Sequence, residues 1–143
     1  MSAASNPSPD KLSLVVFSGT FEKVHYALVM AAAALASNRP VTVFFTMGAA
    51  KALTRSPGWH GLPTEAGPAA AALDREFQDK GVVGFDELLE SCVALGATIM
   101  VCEMGLRALG IEPSTLRTDI AIEQGGVVSF LADASKDGAM LFI

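Results

Sequence analysis

Short apolar runs alternate along this chain with segments whose apolar residues recur at helical spacing, the pattern of strands laid between helices. Lys11 to Phe17 reads as a first strand, ended by Ser18-Gly19-Thr20. A helix is predicted over Glu22 to Ser37, rich in Ala, Leu and Met, with Thr20 as its N-cap. Phe21, Leu28, Ala32 and Leu35 fall near one face of it, with His25 at the packing boundary. Asn38-Arg39-Pro40 stops that helix. Val41 to Phe45 is a second strand of β-branched and aromatic residues without polar alternation, so it is expected to be buried on both faces. Thr46-Met47-Gly48 leads into a short helix through Leu53.

Residues 55–83 break this rhythm with a cluster of Gly and Pro, relieved by an Ala-rich patch, Ala69 to Leu73, that suits a helical turn. The segment is too long for an ordinary connection. It reads as a long loop, either a flap over the rim of the sheet that carries Trp59 across the site or a subunit boundary, or an exposed insertion.

Regularity then returns. Phe85 to Leu95 places Phe85, Leu88, Leu89 and Cys92 at i, i+3, i+4 and i+7, which makes Cys92 a core residue. Ala97 to Val101 is a third strand, followed by a helix from Glu103 to Leu109 closed by Gly110. A helical segment around Ser114 to Leu116, a strand at Asp119 to Ile122, a helix from Val127 to Ala134 opened by Gly125-Gly126, and a last strand at Ala139 to Ile143 complete the order. The class is α/β: a single doubly wound, mainly parallel five-stranded sheet with helices on both faces, over residues 11–143. Residues 1–10 read as a disordered tail, without the positive start and apolar core of a signal peptide.

Composition narrows the partners. Of 143 residues 51% are apolar and 17% charged, a balance that favours burial of surface in a homo-oligomer. The net charge of −5 comes without a basic run, so nucleic acid is not an expected partner. The longest apolar stretch, Ala27 to Ala36, is half the length of a membrane-spanning helix, and a cytoplasmic protein without membrane contact is expected. Two cysteines and two isolated histidines make neither a disulfide framework nor a metal site. Cys92 and Cys102 are expected to lie too far apart to pair.

Right-handed crossovers bring the strand-to-helix turns of a parallel sheet to its carboxyl rim. Ser18, Gly19 and Thr20, then Thr46, Met47 and Gly48, then Cys102, Glu103 and Met104, then Gly125 and Gly126 are therefore the candidate ligand-binding residues. Cys102 is the candidate nucleophile, because a thiol at a helix start meets unpaired N–H groups and the positive end of the helix dipole, which favour thiolate. No turn matches a dinucleotide or nucleoside triphosphate fingerprint, and no cofactor is expected. A small anion or a sulfur species suits this rim.

The runs Phe17-Ser18-Gly19-Thr20-Phe21-Glu22-Lys23-Val24, Val43-Phe44-Phe45-Thr46, Val101-Cys102-Glu103-Met104, Leu109-Gly110-Ile111, Gly125-Gly126-Val127 and Leu141-Phe142-Ile143 occur in the order and spacing of a known family. The chain resembles the DsrE/DsrF-like sulfur-relay proteins, in the branch with a C-x-M motif. The resemblance implies a flavodoxin-like, DsrE-like fold and an oligomeric persulfide carrier. In that role Cys102 would accept sulfane sulfur from a donor such as a rhodanese and pass it to a TusA-like protein. The residues alone leave two alternatives open: a non-catalytic small-ligand-binding module, or a structural homo-oligomer in which Cys102 is merely packed.

Overall fold

The computed structural model describes residues 8–143; most of the expected tail, residues 1–7, lies outside them. Order begins before Lys11, since the Pro9 carbonyl accepts a hydrogen bond from Arg39 Nε and the Asp10 N–H donates to the Asp137 carbonyl. The five strands are β1 (Leu12–Val16), β2 (Val41–Phe45), β3 (Thr98–Cys102), β4 (Glu123–Gly125) and β5 (Ala139–Phe142). They form one sheet in the order β4-β3-β2-β1-β5, with every neighbouring pair parallel. The helices are α1 (Phe21–Ala36), α2 (Ala70–Asp79), α3 (Phe85–Ala94), α4 (Glu103–Leu109) and α5 (Val127–Asp133), with 3-10 turns at Met47–Leu53, Gly58–Gly61 and Pro113–Thr115.

The strand order determines which face each helix covers. From β1 to β4 the chain steps one way across the sheet, and right-handed crossovers put α1, α3 and α4 on one face. The step from β4 to β5 runs back across the whole sheet, so α5 lies on the other. Side-chain alternation follows. Leu14, Val43 and Ile99, paired across three strands, point into the main core with Phe21, Leu28, Leu89 and Leu106, all buried. Val15, Phe44, Met100 and Cys102 point to the second face, where Phe130 of α5 stacks on Phe44 at 4.9 Å.

That second face is thinly covered. Seven residues of α5 span only ~10 Å, whereas the return crosses four strand gaps of ~4.8 Å each, ~19 Å in all. Phe17, Val128, Leu131, Met140 and Phe142 consequently remain 45–82% exposed. The apolar excess in the composition is concentrated here.

Two sequence expectations are corrected. Residues 55–83 are not a long loop: Trp59, Leu62, Ala70 and Leu73 are buried, and Ala70, Leu73 and Phe77 form the inner face of α2. Flanking glycines and prolines outweighed that short periodicity in the sequence. Trp59 packs inside its own domain, between Phe21 and Phe85, and its Nε1–H donates to Asp86. Asp74, also buried, accepts from the Phe85 N–H at 2.8 Å and so starts α3. The segment thus sits over α1 and α3, on the face opposite α5.

The second correction concerns the fourth strand, which is Glu123–Gly125 and not Asp119–Ile122. The chain bends at Thr118 to Ile120 while Ile120 and Ile122 pack on the main core, and the ladder to β3 begins only at Met100 opposite Glu123. His25 has the structural role expected of it. It is buried, and its Nε2–H donates to the Val83 carbonyl at 2.8 Å.

Candidate functional site

Cys102 is both the last residue of β3 and the N-cap of α4, with extended backbone (φ −78°, ψ 117°). The Gly105 N–H donates to its Sγ at 3.4 Å, as a hydroxyl or carboxylate would be used at an ordinary N-cap. Cys102 also pairs with Gly125 across the sheet. From β3 the chain leaves to α4 on the main face; from β4 it leaves to α5 on the other. Cys102 therefore stands at the topological switch point, where open α/β sheets form their crevice at the carboxyl edge.

Close backbone contacts hold this rim together. Gly19 and Gly48 lie back to back, and a Cβ on Gly48 would stand 3.0 Å from the Gly19 Cα. Gly105 is pressed against the next turn, where a Cβ would come within 2.7 Å of Met47 N and 3.0 Å of Thr46 Oγ1. Met47 itself has φ +49°, so the approaching backbone has little freedom to retreat. Thr46, Met47, Gly48, Gly19, Cys102 and Gly125 are thereby brought into one contiguous ridge, as the sequence suggested. Ser18 and Thr20 instead turn to each other, the hydroxyls 3.3 Å apart and the Thr20 N–H donating to Ser18 Oγ. Glu103 and Met104 are exposed on the first turn of α4, and Gly126 is the open N-cap of α5.

Access to Cys102 differs from expectation. The sequence makes it a nucleophile at the carboxyl rim, where a ligand would reach it, yet the residue is only 1% exposed, because its position in β3 aims it at the second face, into a cluster with Phe44, Met100 and Phe130. Cys92 is fully buried on the inner side of α3, its Sγ–H donating to the Leu28 carbonyl at 3.5 Å, and burial pushes its thiol up to about 11. Both thiols are free.

A cavity of 480 Å³ lies against the Cys102 cluster, walled by Phe17, Phe44, Phe130, Phe142, Met47 and Met104 among others. Phe44 and Phe130 belong to both. Met47 and Met104 were already candidates from the sequence, whereas the four aromatics are the site residues that it did not single out; the signal was present in the apolar end of the chain, Met140-Leu141-Phe142, which is too exposed in β5 to be core. A sequence profile of the DsrE/DsrF-like family matches residues 11–140. The chain belongs to that family.

The chain is also similar to one further protein in sequence and to one solved structure in fold. An uncharacterized protein from Bacillus subtilis strain 168, YrkE, is 25% identical over 93% of this chain and 96% of its own length. MTH1491 from Methanobacterium thermoautotrophicum, a solved structure of a protein of unknown function, superposes with a TM-score of 0.62 at 12% identity. The match covers 93% of this chain and 98% of that one, and it shows the same fold. No helix among the described residues is long and apolar enough to cross a membrane.

The lid over Cys102 is tethered at its end. The Asp133 carboxylate, the last residue of α5, accepts from Lys11 Nζ at 2.7 Å and from Thr42 Oγ1 at 2.6 Å. Partial burial raises the Asp133 acid, but the hydrogen bonds from Lys11 and Thr42 and the charge of Lys11 outweigh it and hold the group below its ordinary 3.8. A depressed acid adds stability above its unfolded value and loses it as pH falls through the lower, folded one. Acidification from about pH 5 to about pH 3 is therefore expected to lower the urea midpoint more in the wild type than in Asp133→Asn. Equal losses in the two proteins would show that this tether does not hold α5.

Proposed function

We propose that this DsrE-like protein carries sulfane sulfur, accepting it on Cys102 as a persulfide and handing it to a partner protein. The single observation that carries the reading is the position of Cys102, at the sheet switch point with the Gly105 N–H directed at its sulfur. Family membership supports a place in sulfur relay, with a rhodanese-type donor and a TusA-like acceptor as the partner classes. The thiolate attacks the outer sulfur of a donor persulfide; one S–S bond forms, the donor's S–S bond breaks, and the donor thiolate leaves. The cavity beside Cys102 is lined by no charged side chain among the described residues, which suits a carrier acting through binding and release. Because Cys102 is covered in the isolated chain, loading requires α5 or the Met104 turn to move aside. A homo-oligomer in the cytoplasm is the setting proposed for it.

Intact mass after incubation with polysulfide tests the reading. Wild type and Cys92→Ser are expected to gain the mass of one or more sulfur atoms, released by a reducing thiol, while Cys102→Ser gains none. Equal gain by Cys102→Ser would sink the proposal. Retention of fold and assembly without any loading would favour the second reading, a structural oligomer in which Cys102 is packed; the 1% exposure of Cys102 is the observation on its side.

A further inference from the structure

We infer that the cavity against Cys102 selects an uncharged sulfane-sulfur donor, of the chemical type of elemental sulfur, over anionic donors such as thiosulfate. The inference rests on the carrier reading and adds the substrate class. Four phenyl rings and three thioethers face the 480 Å³ space, and Thr46 is the only polar side chain in its lining among the described residues. None of the lining residues is charged. A dianion entering here would shed its hydration and meet no counter-charge, whereas a neutral ring of sulfur atoms loses little on leaving water. The lining also suits it in kind, since thioether and aromatic groups are the polarisable partners that sulfur favours.

The cavity shares its wall with the thiol's enclosure. Phe44 and Phe130 form part of its wall and also enclose Cys102, and Thr46 and Met47, which line it, are the residues pressed against Gly105. Phe130 of α5 is buried in the same cluster as Cys102, so the movement of α5 or the Met104 turn that uncovers the thiol also opens it toward the cavity. The Cys102 thiolate then attacks one atom of the sulfur ring. One S–S bond forms to Cys102, one ring S–S bond breaks, and the negative charge passes to the far end of the opened chain. No external oxidant or reductant enters the step.

The competing occupant of this face is a second copy of the chain, and the experiment separates the two. In a Cys92→Ser background, loading of Cys102 is followed by intact mass with elemental sulfur added from acetone or with thiosulfate. The rate ratio is compared with that of free cysteine under the same conditions. The protein's preference for elemental sulfur is expected to exceed that of free cysteine by on the order of tenfold. Met104→Lys, which puts a cation at the exposed mouth, is expected to raise the thiosulfate rate and collapse the preference. Nile red, an uncharged dye, should light up on both this protein and Cys102→Ser, and elemental sulfur should displace it. A ratio no higher than that of free cysteine, or a face that takes up no Nile red because a second copy covers it, overturns the donor preference and leaves the carrier reading standing. No sulfur on Cys102 from either small donor or from a persulfidated rhodanese defeats both.

Discussion

Gly105→Ala is expected to cost about 1–3 kcal/mol of stability and to release Cys102 from its N-cap. The added methyl would sit 2.7 Å from Met47 N, a backbone atom, and 3.0 Å from Thr46 Oγ1. Alanine suits the helix interior better than glycine by roughly 0.5–1 kcal/mol, so the propensity gain opposes the clash without cancelling it. Relief has to come from a shift of the first turn of α4, which carries the Gly105 N–H away from the Cys102 sulfur. Urea denaturation measures the first effect. The rate of native-state alkylation at Cys102 measures the second, and it is expected to rise while Cys92, on another helix, stays protected. A variant as stable as wild type with unchanged Cys102 labelling would show that the ridge yields freely and that the N-cap contact is incidental.

Phe21→Ala is the substitution with the largest expected loss of stability, about 3–5 kcal/mol. Phe21 is fully buried, and its ring lies within 6.0 Å of His25, Trp59, Phe77 and Phe85. Those rings come from α1, the turn at Gly58–Gly61, α2 and α3, so one deletion opens a cavity shared by four elements. Because the ring is the common contact of residues 55–83 with the main core, limited proteolysis is expected to cut first within that segment. Glu22 ties the same segment down, its carboxylate accepting from the Glu65 and Ala66 N–H groups, and these bonds do not involve the Phe21 ring. A loss below about 1 kcal/mol would mean that neighbouring rings refill the space, contrary to the near-rigid packing of such clusters.

Legibility in the sequence followed periodicity. Val41–Phe45 was readable as a doubly buried strand because every position is apolar or β-branched, and all five residues are buried. The inner face of α3 was readable because Phe85, Leu88, Leu89 and Cys92 repeat at helical spacing. Gly110 as a helix stop was readable from residue type, and it takes the left-handed conformation with φ +67°. The fourth strand was misplaced because Ile120 and Ile122 alternate like strand residues, although their burial comes from packing on the core and not from sheet pairing. The helix at Ala70–Asp79 was masked by its flanks, since a two-to-three-turn periodicity carries less signal than eight nearby glycines and prolines.

The candidate site divides the same way. Residue order alone determined that Cys102 ends a strand and begins a helix, since an apolar run followed by Glu103 to Leu109 and a glycine admits little else, and that placement gives the thiol its donor. The family followed from the same residues in their order. Burial of that thiol was decided only by the tertiary structure, because the face a strand residue occupies depends on register with its neighbours, which periodicity within one strand does not specify. The open apolar face was likewise decided by topology. A return from β4 to β5 crosses the sheet with a helix too short to cover it, and strand order arises from pairings between residues far apart in the chain, where local pattern carries no information.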